Sequence, residues 1–260
     1  MVIYYWFMLK MFTELFILVP FFILYVVGFI SLSTFFILLF VLYWLPKPIV
    51  INLLEWMYPS VLTRNISSKN IALTFDDMPY GSHKEIIGLL DKHNMQGTFF
   101  VISSQITEQN RKIFVDAVKT GHQLANHGRT NSMHYLKNES ALRSEIMHCD
   151  NIIKEIYKEA GVPIPSKMIY RPGCGLFGPA MLRLLKSLDY ILALGSVYPN
   201  DPMIRFGSVN YLYLINHIER GDIVILHDRP WTPLALENLL GWMQLNSIKS
   251  VTINKLFNFD

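Results

Sequence analysis

Strand-like and helix-like patterns alternate along residues 70–253, which predicts an α/β fold with parallel strands. The alternation repeats about seven times, and that number favours a closed barrel over an open sheet. Polar residues gather just after the strand-like runs, where such a barrel builds its site. A long uncharged stretch precedes all of these elements and reads as a transmembrane segment.

The uncharged stretch accounts for the composition. The 260-residue chain is 52% hydrophobic and 17% charged, and residues 15–45 contain no charged side chain. A spanning helix needs about 20 apolar residues, so this run is long enough for one tilted pass. It lacks the small-residue cleavage site of a signal peptide and reads as a retained anchor. Gly28, Ser31 and Ser33 offer a turn between two short spans, the alternative to a single pass. Tyr43, Trp44 and Lys47 suit the membrane–water boundary. Residues 1–46 are thus the expected anchor, 47–68 a juxtamembrane linker and 69–260 the folded domain. The triplets starting at Asn65 and Asn138 match the N-glycosylation pattern and suit a lumenal or extracellular domain. The net charge of +3 contains no basic run, so nothing marks a nucleic-acid partner. Cys149 and Cys174 have no zinc-ligand spacing.

Short apolar runs predict strands at 71–75, 98–102, 123–126, 168–170, 190–194, 222–226 and 250–253. Helical patterns fall at 83–93, 106–119, 139–160, 179–188 and 234–245. The best of them is 139–160, where Leu142, Ile146, Cys149, Ile153 and Ile156 recur at helical spacing. Gly121 closes the 106–119 pattern as a helix-ending glycine would.

Five polar clusters sit at strand ends: Asp76-Asp77, His127, Arg171, Asp201 and His227. Two adjacent carboxylates are costly to bury unless a cation lies nearby, so Asp76 and Asp77 read either as a solvated turn or as a site for one. Neutral imidazole is a common metal ligand, and the acidic pair raises that reading for His127, with His134 following in the same loop. Arg171 can hold a carboxylate in fixed geometry, and the glycines of Pro172-Gly173-Cys174-Gly175 let backbone approach a substrate. His227 ends a buried strand, placed to give or take a proton.

In this order, TFDD-P at 74–79, GH-x3-NH at 121–127, RP-x-x-G at 171–175 and the strand-end Leu226-His227 resemble the polysaccharide deacetylase (NodB-homology, chitin deacetylase-like) family. The resemblance covers roughly residues 70–255. It implies a distorted (β/α) barrel that hydrolyses N-acetyl groups on amino sugars with a divalent metal, zinc being the expected one. Carried over by motif, Asp76 is the general base, Asp77 and His127 are metal ligands, Arg171 orients the base and His227 is the general acid. Asp201 stands where the family places an acidic residue that tunes that acid. Residues 172–175 would contact substrate, with the backbone N–H of Cys174 near the oxyanion. The implied substrate is a polymer or glycolipid carrying N-acetylglucosamine units.

Three positions depart from the family pattern. Met78 replaces a glycine, Cys174 a tyrosine, and Asn131 the second histidine expected four residues after His127. His134 is the expected replacement ligand, brought back by a bulge in the 128–132 loop, with Asn131 or water as the alternative. The changed motif also keeps a second function open, a catalytically impaired carbohydrate-binding protein on the same fold.

Overall fold

The computed structural model describes residues 47–260 together with residues 28, 31, 33 and 34. The chain divides into two units between Pro59 and Ser60. The run 15–45 lies almost wholly outside the described residues, and so does its reading as an anchor. Gly28 adopts φ +77°, at the point where a division into two short spans would fall. Among the described residues no helix is long and apolar enough to cross a membrane. The expected linker is partly structured, since α1 (Lys47–Met57) is helical.

The second unit runs β1 (Ala72–Met78), α2 (His83–Lys92), β2 (Gly97–Val101), α3 (Glu108–Lys119), β3 (Gln123–Asn126) and α4 (Glu139–Ala160). It continues with β4 (Met168–Tyr170), α5 (Pro179–Ser187), β5 (Tyr190–Leu192), α6 (Gly207–His217), β6 (Ile223–His227), α7 (Thr232–Leu245) and α8 (Ile253–Leu256). The strands form one parallel sheet in the order β5-β4-β3-β2-β1-β6. Each strand is buried on both faces or nearly so, as a parallel sheet covered by helices requires.

The sheet curls without closing through a full seventh strand. Ser250 makes only an isolated bridge to Ile71, and the chain then turns into α8. The expected strand at 250–253 fails because Thr252 accepts a hydrogen bond from the Lys255 N–H and starts a helix instead. The gap between the two edge strands is partly bridged by short segments. Leu62 pairs with Ala193 beyond β5, and Val197 pairs with Val224 of β6. The fold is therefore a curled, parallel half-barrel of six strands rather than a seven-stranded barrel.

Inside the curl, Ala72, Phe100, Ala125, Ile169, Ala193 and Ile223 pack with Ile253 and Leu256 of α8. The alanines leave room for α8 to enter one end of the barrel. Gln123 fixes that helix, donating from Nε2 to Asn254 and accepting the Asn254 backbone N–H. On the outer layer α4 buries all five residues of its predicted stripe. Its ends are set by Asn138, which accepts the Ala141 N–H, and by Gly161 at φ +68°. With one end of the curl plugged, the functional end is the other, where the strands finish.

Candidate active site

The adjacent aspartates reach one pocket because β1 breaks its alternation. Phe75 pairs with Phe99 and Met78 with Val101, so β1 carries one extra residue, a β-bulge. Asp77 sits in the bulge at φ +61°, a left-handed conformation that aspartate tolerates better than most residues. The kink turns both carboxylates toward the same end of the barrel.

Asp76 lies directly opposite His227 across the β1–β6 pair, so the proposed base and acid are strand neighbours. Arg171 donates to Asp76 Oδ1 at 2.6 Å from Nη1. The guanidinium is itself fully held: it donates to Thr74 Oγ1 and to the carbonyls of Ala193 and Leu194, and lies 3.9 Å from the centre of the Phe100 ring. Arg171 is 2% exposed. A buried charge so held keeps the Asp76 carboxylate paired in one place. Among the described residues, Arg171 reaches Asp76 through Oδ1.

His227 is held the same way. Asp201 accepts its backbone N–H at 2.7 Å and its Nδ1–H at 2.9 Å. Trp231 Nε1 donates to the Asp201 carbonyl, which fixes the loop. Burial works to lower the His227 pKa, but the Asp201 charge and hydrogen bond, with the charges of Asp76 and Asp77, raise it overall. With Nδ1–H given to Asp201, Nε2 is the ring nitrogen not engaged by that carboxylate. Tyr198 lies 5.7 Å from the His227 ring, and its hydroxyl pKa is raised by burial and by the three site aspartates.

Asp77 has three neighbours. His127 Nε2 lies 3.5 Å from Oδ1, Asn131 Nδ2 donates to Oδ1 at 3.2 Å, and Arg229 Nη2 donates to Oδ2 at 2.5 Å. Burial opposes ionisation of Asp77. The bond to His127, the charges of His127 and His227, and the bond to Arg229 outweigh it and hold the carboxyl well below the usual range. His127 donates Nδ1–H to the Arg171 carbonyl at 2.8 Å, so Nε2 faces Asp77.

His134 is not part of this group. Its Nδ1 accepts the Gly173 N–H at 3.0 Å and lies 2.8 Å from the Tyr170 hydroxyl. A donated N–H at Nδ1 requires the proton on Nε2, which donates to the Thr130 carbonyl at 3.2 Å. Both ring nitrogens are committed, and burial pushes the pKa down to about 4. The ring centre is 6.4 Å from that of His127, edge-on. His134 is a buried strut, and Asn131 is the loop residue that reaches Asp77.

The 128–134 loop explains two glycines. A Cβ on Gly128 would stand 2.5 Å from His134 Cε1, and one on Gly173 would stand 2.1 Å from the Ser132 carbonyl oxygen. Gly173 therefore serves packing, and its N–H is spent on His134. Pro172 is buried. Gly175 donates its N–H to the Pro172 carbonyl within the tight turn 173–175. Cys174 alone of the four is exposed, at φ +62°, and burial and the nearby Asp77 charge raise its thiol pKa.

These donors do not make the expected zinc site. A catalytic zinc takes three protein ligands plus water. Here there is one carboxylate already paired with a guanidinium, one imidazole and one neutral amide. Among the described residues no three His, Cys, Asp or Glu side chains are grouped to hold a metal ion. Sequence reasoning passed over Arg229; its place two residues after the strand-end histidine was the available signal.

The family model for polysaccharide deacetylases matches residues 63–193. A bifunctional xylanase/deacetylase of Pseudobutyrivibrio xylanivorans is 27% identical over 75% of this chain and 31% of its own length. The peptidoglycan-N-acetylmuramic acid deacetylase PdaA of Bacillus subtilis is 26% identical over 68% of this chain and 71% of its own. The peptidoglycan-N-acetylglucosamine deacetylase PgdA of Listeria monocytogenes is 25% identical over 74% of this chain and 39% of its own. The chain thus spans under half the length of two of these three relatives. In structure it is similar to the peptidoglycan deacetylase PdaC of Bacillus subtilis (TM-score 0.66, 22% identity, covering 75% of this chain and 93% of that one). It is equally similar to a CE4 family pseudoenzyme of Bacillus anthracis (TM-score 0.67, 18% identity, covering 78% and 69%). With half of the sequence matched to its model, this chain belongs to the polysaccharide deacetylase family of hydrolases.

Proposed function

We propose that this chain hydrolyses N-acetyl groups on an amino-sugar polymer or glycolipid with N-acetylglucosamine units. The observation that carries the reading is the pairing of Asp76, fixed by Arg171, with His227, fixed by Asp201, on adjacent strand ends. Water attacks the acetamide carbonyl carbon, and Asp76 takes its proton. His227 then protonates the nitrogen as the C–N bond breaks, releasing acetate and the free amine. The named relatives act on acetylated glycans, which supports the substrate class.

The test is acetate release from chitin oligomers, peptidoglycan fragments and N-acetylglucosaminyl lipids. At least one should yield acetate, and Asp76→Asn should cut kcat by roughly 10²- to 10⁴-fold, the usual worth of a positioned general base. A second reading has its own support, since Asp77 is saturated by Arg229, Asn131 and His127. Saccharide binding with no acetate released from any substrate would favour a carbohydrate-binding protein.

The uncharged run at 15–45 supports membrane attachment, and we place the domain on the lumenal or outer side. The two sequons differ. Asn65 Nδ2, the atom a glycan would use, donates to the Leu256 carbonyl, whereas exposed Asn138 uses only its oxygen as a helix cap. On expression in a glycosylating secretory host, Asn138→Gln should remove a glycosidase-sensitive mass shift and Asn65→Gln should not. A protein never glycosylated there would count against this placement.

A further inference from the structure

We propose that Arg229 is a built-in cation that stands in for a divalent metal ion against Asp77, so that the site works without bound metal. The inference rests on the same strand-end site as the deacetylation reading and deepens it.

Three contacts fix the guanidinium. Nη2 donates to Asp77 Oδ2 at 2.5 Å, and Nη1 donates to the Asp228 carbonyl at 2.9 Å. The guanidinium carbon lies 4.4 Å from the centre of the Tyr80 ring, in cation–π geometry. Tyr80 is held for this purpose. The buried Asp228 carboxylate accepts the backbone N–H of Tyr80 at 2.5 Å, of Gly81 at 3.1 Å and of Ser82 at 2.6 Å. Residues 228 and 229 thus form one device: the aspartate ties down the loop that carries the ring, and the arginine lies between ring and Asp77. The Arg229 side chain is only 14% exposed, so its attraction to Asp77 is little screened.

The arrangement competes with a metal directly. A divalent ion on Asp77 would place two cations on one carboxylate in a poorly screened pocket. The ion would bind only after Arg229 left its carbonyl, its ring and its carboxylate together. Asn131 works in the same direction, because its amide nitrogen donates to Asp77 Oδ1 and offers no anionic or imidazole donor. The charge count differs as well. Asp77 with a divalent ion sums to +1, whereas Asp77 with Arg229 is neutral. The guanidinium has five N–H donors, two of which are used in these contacts. The remainder can meet an acyl oxygen, the charge-stabilising part that a metal would otherwise play.

The test is metal binding by the full chain, stripped with chelator and then titrated with Zn²⁺ and with Co²⁺, whose absorption reports ligand geometry. The wild-type protein should hold well under one equivalent at micromolar free metal. Arg229→Ala should bind at least tenfold more tightly, and Asn131→His with Arg229→Ala more tightly still. Arg229→Gln, which keeps hydrogen-bonding length but not the charge, should likewise gain metal affinity and reports on the site should Arg229→Ala fail to fold. One tightly held equivalent in the wild type would overturn the proposal, as would an affinity unchanged in both Arg229 variants. The outcome is separate from the deacetylation reading. Failure to release acetate would sink that reading without moving the metal titration, and tight metal binding would sink this inference without touching acetate release.

Discussion

Single residues in this site work through what fixes them. Asp201 touches no reacting atom in the proposed chemistry; it acts by raising the His227 pKa. A general acid must be protonated, so activity should be present below the His227 pKa and lost as pH rises through it. Removing the Asp201 charge lowers that pKa. Asp201→Asn should therefore move the alkaline limb of kcat/KM to lower pH, a change that mere loss of folded protein would not produce. An unmoved limb would disconnect Asp201 from the acid. The grouping was partly legible in the residues themselves, because Asp76, Arg171 and His227 stand at or next to the ends of strands, whereas Asp201 comes from a loop well beyond β5. His134 was misread because a histidine near metal-type motifs looks the same whether it faces a metal or a buried carbonyl. Only the Gly173 N–H and the Thr130 carbonyl on its two nitrogens decide that.

At the scale of elements, turns carry the information that apolar patterns do not. The helix at 139–160 was readable from its apolar stripe, and the Asn138 cap and Gly161 set its ends in the structure. Helix α6 was not, since Tyr211, Leu212, Tyr213 and Leu214 give it no clear polar face and Phe206 offers no side-chain cap. The extra residue in β1 was equally silent, yet it brings Asp76 and Asp77 together. The 128–134 loop and the 171–175 turn lock face to face through His134. Gly173→Ala would drive a methyl group into the Ser132 carbonyl oxygen at 2.1 Å. Overpacking of this kind costs about 1–3 kcal/mol, so the denaturation midpoint should fall accordingly. If the midpoint holds and substrate affinity falls instead, Gly173 belongs to the binding surface after all.

Across the whole molecule, the boundary of the folded unit lies earlier than composition suggests. The sequence placed the domain start at residue 69, after a polar stretch. The structure already uses 60–66 as part of the barrel. Leu62 bonds Leu192 and Leu194, Asn65 bonds Gly221 and the Leu256 carbonyl, and Val61 and Thr63 are buried. These contacts are long-range and involve single residues, so no periodic pattern announces them. A fragment 60–260 should melt cooperatively. A fragment 69–260 loses four of these hydrogen bonds, at about 0.5–1.5 kcal/mol each, and should be less stable by about 2–6 kcal/mol. Equal melting of the two would show that the bridging segment contributes nothing.

The order of strands also governs what an incomplete chain can be. The first strand lies between β2 and β6. The Thr74 hydroxyl donates to the carbonyl of Val224, 150 residues further along the chain. Until β6 is synthesised and docks, β1 is an open edge, buried in the finished protein at all seven positions and rich in unpaired backbone groups. A polypeptide stopped before residue 223 would carry Asp76 and Asp77 with neither His227 nor Arg229 beside them. Such a product would be at once inert and sticky, a strand seeking a partner from another molecule, so the last strand to arrive is also the one that renders the first harmless.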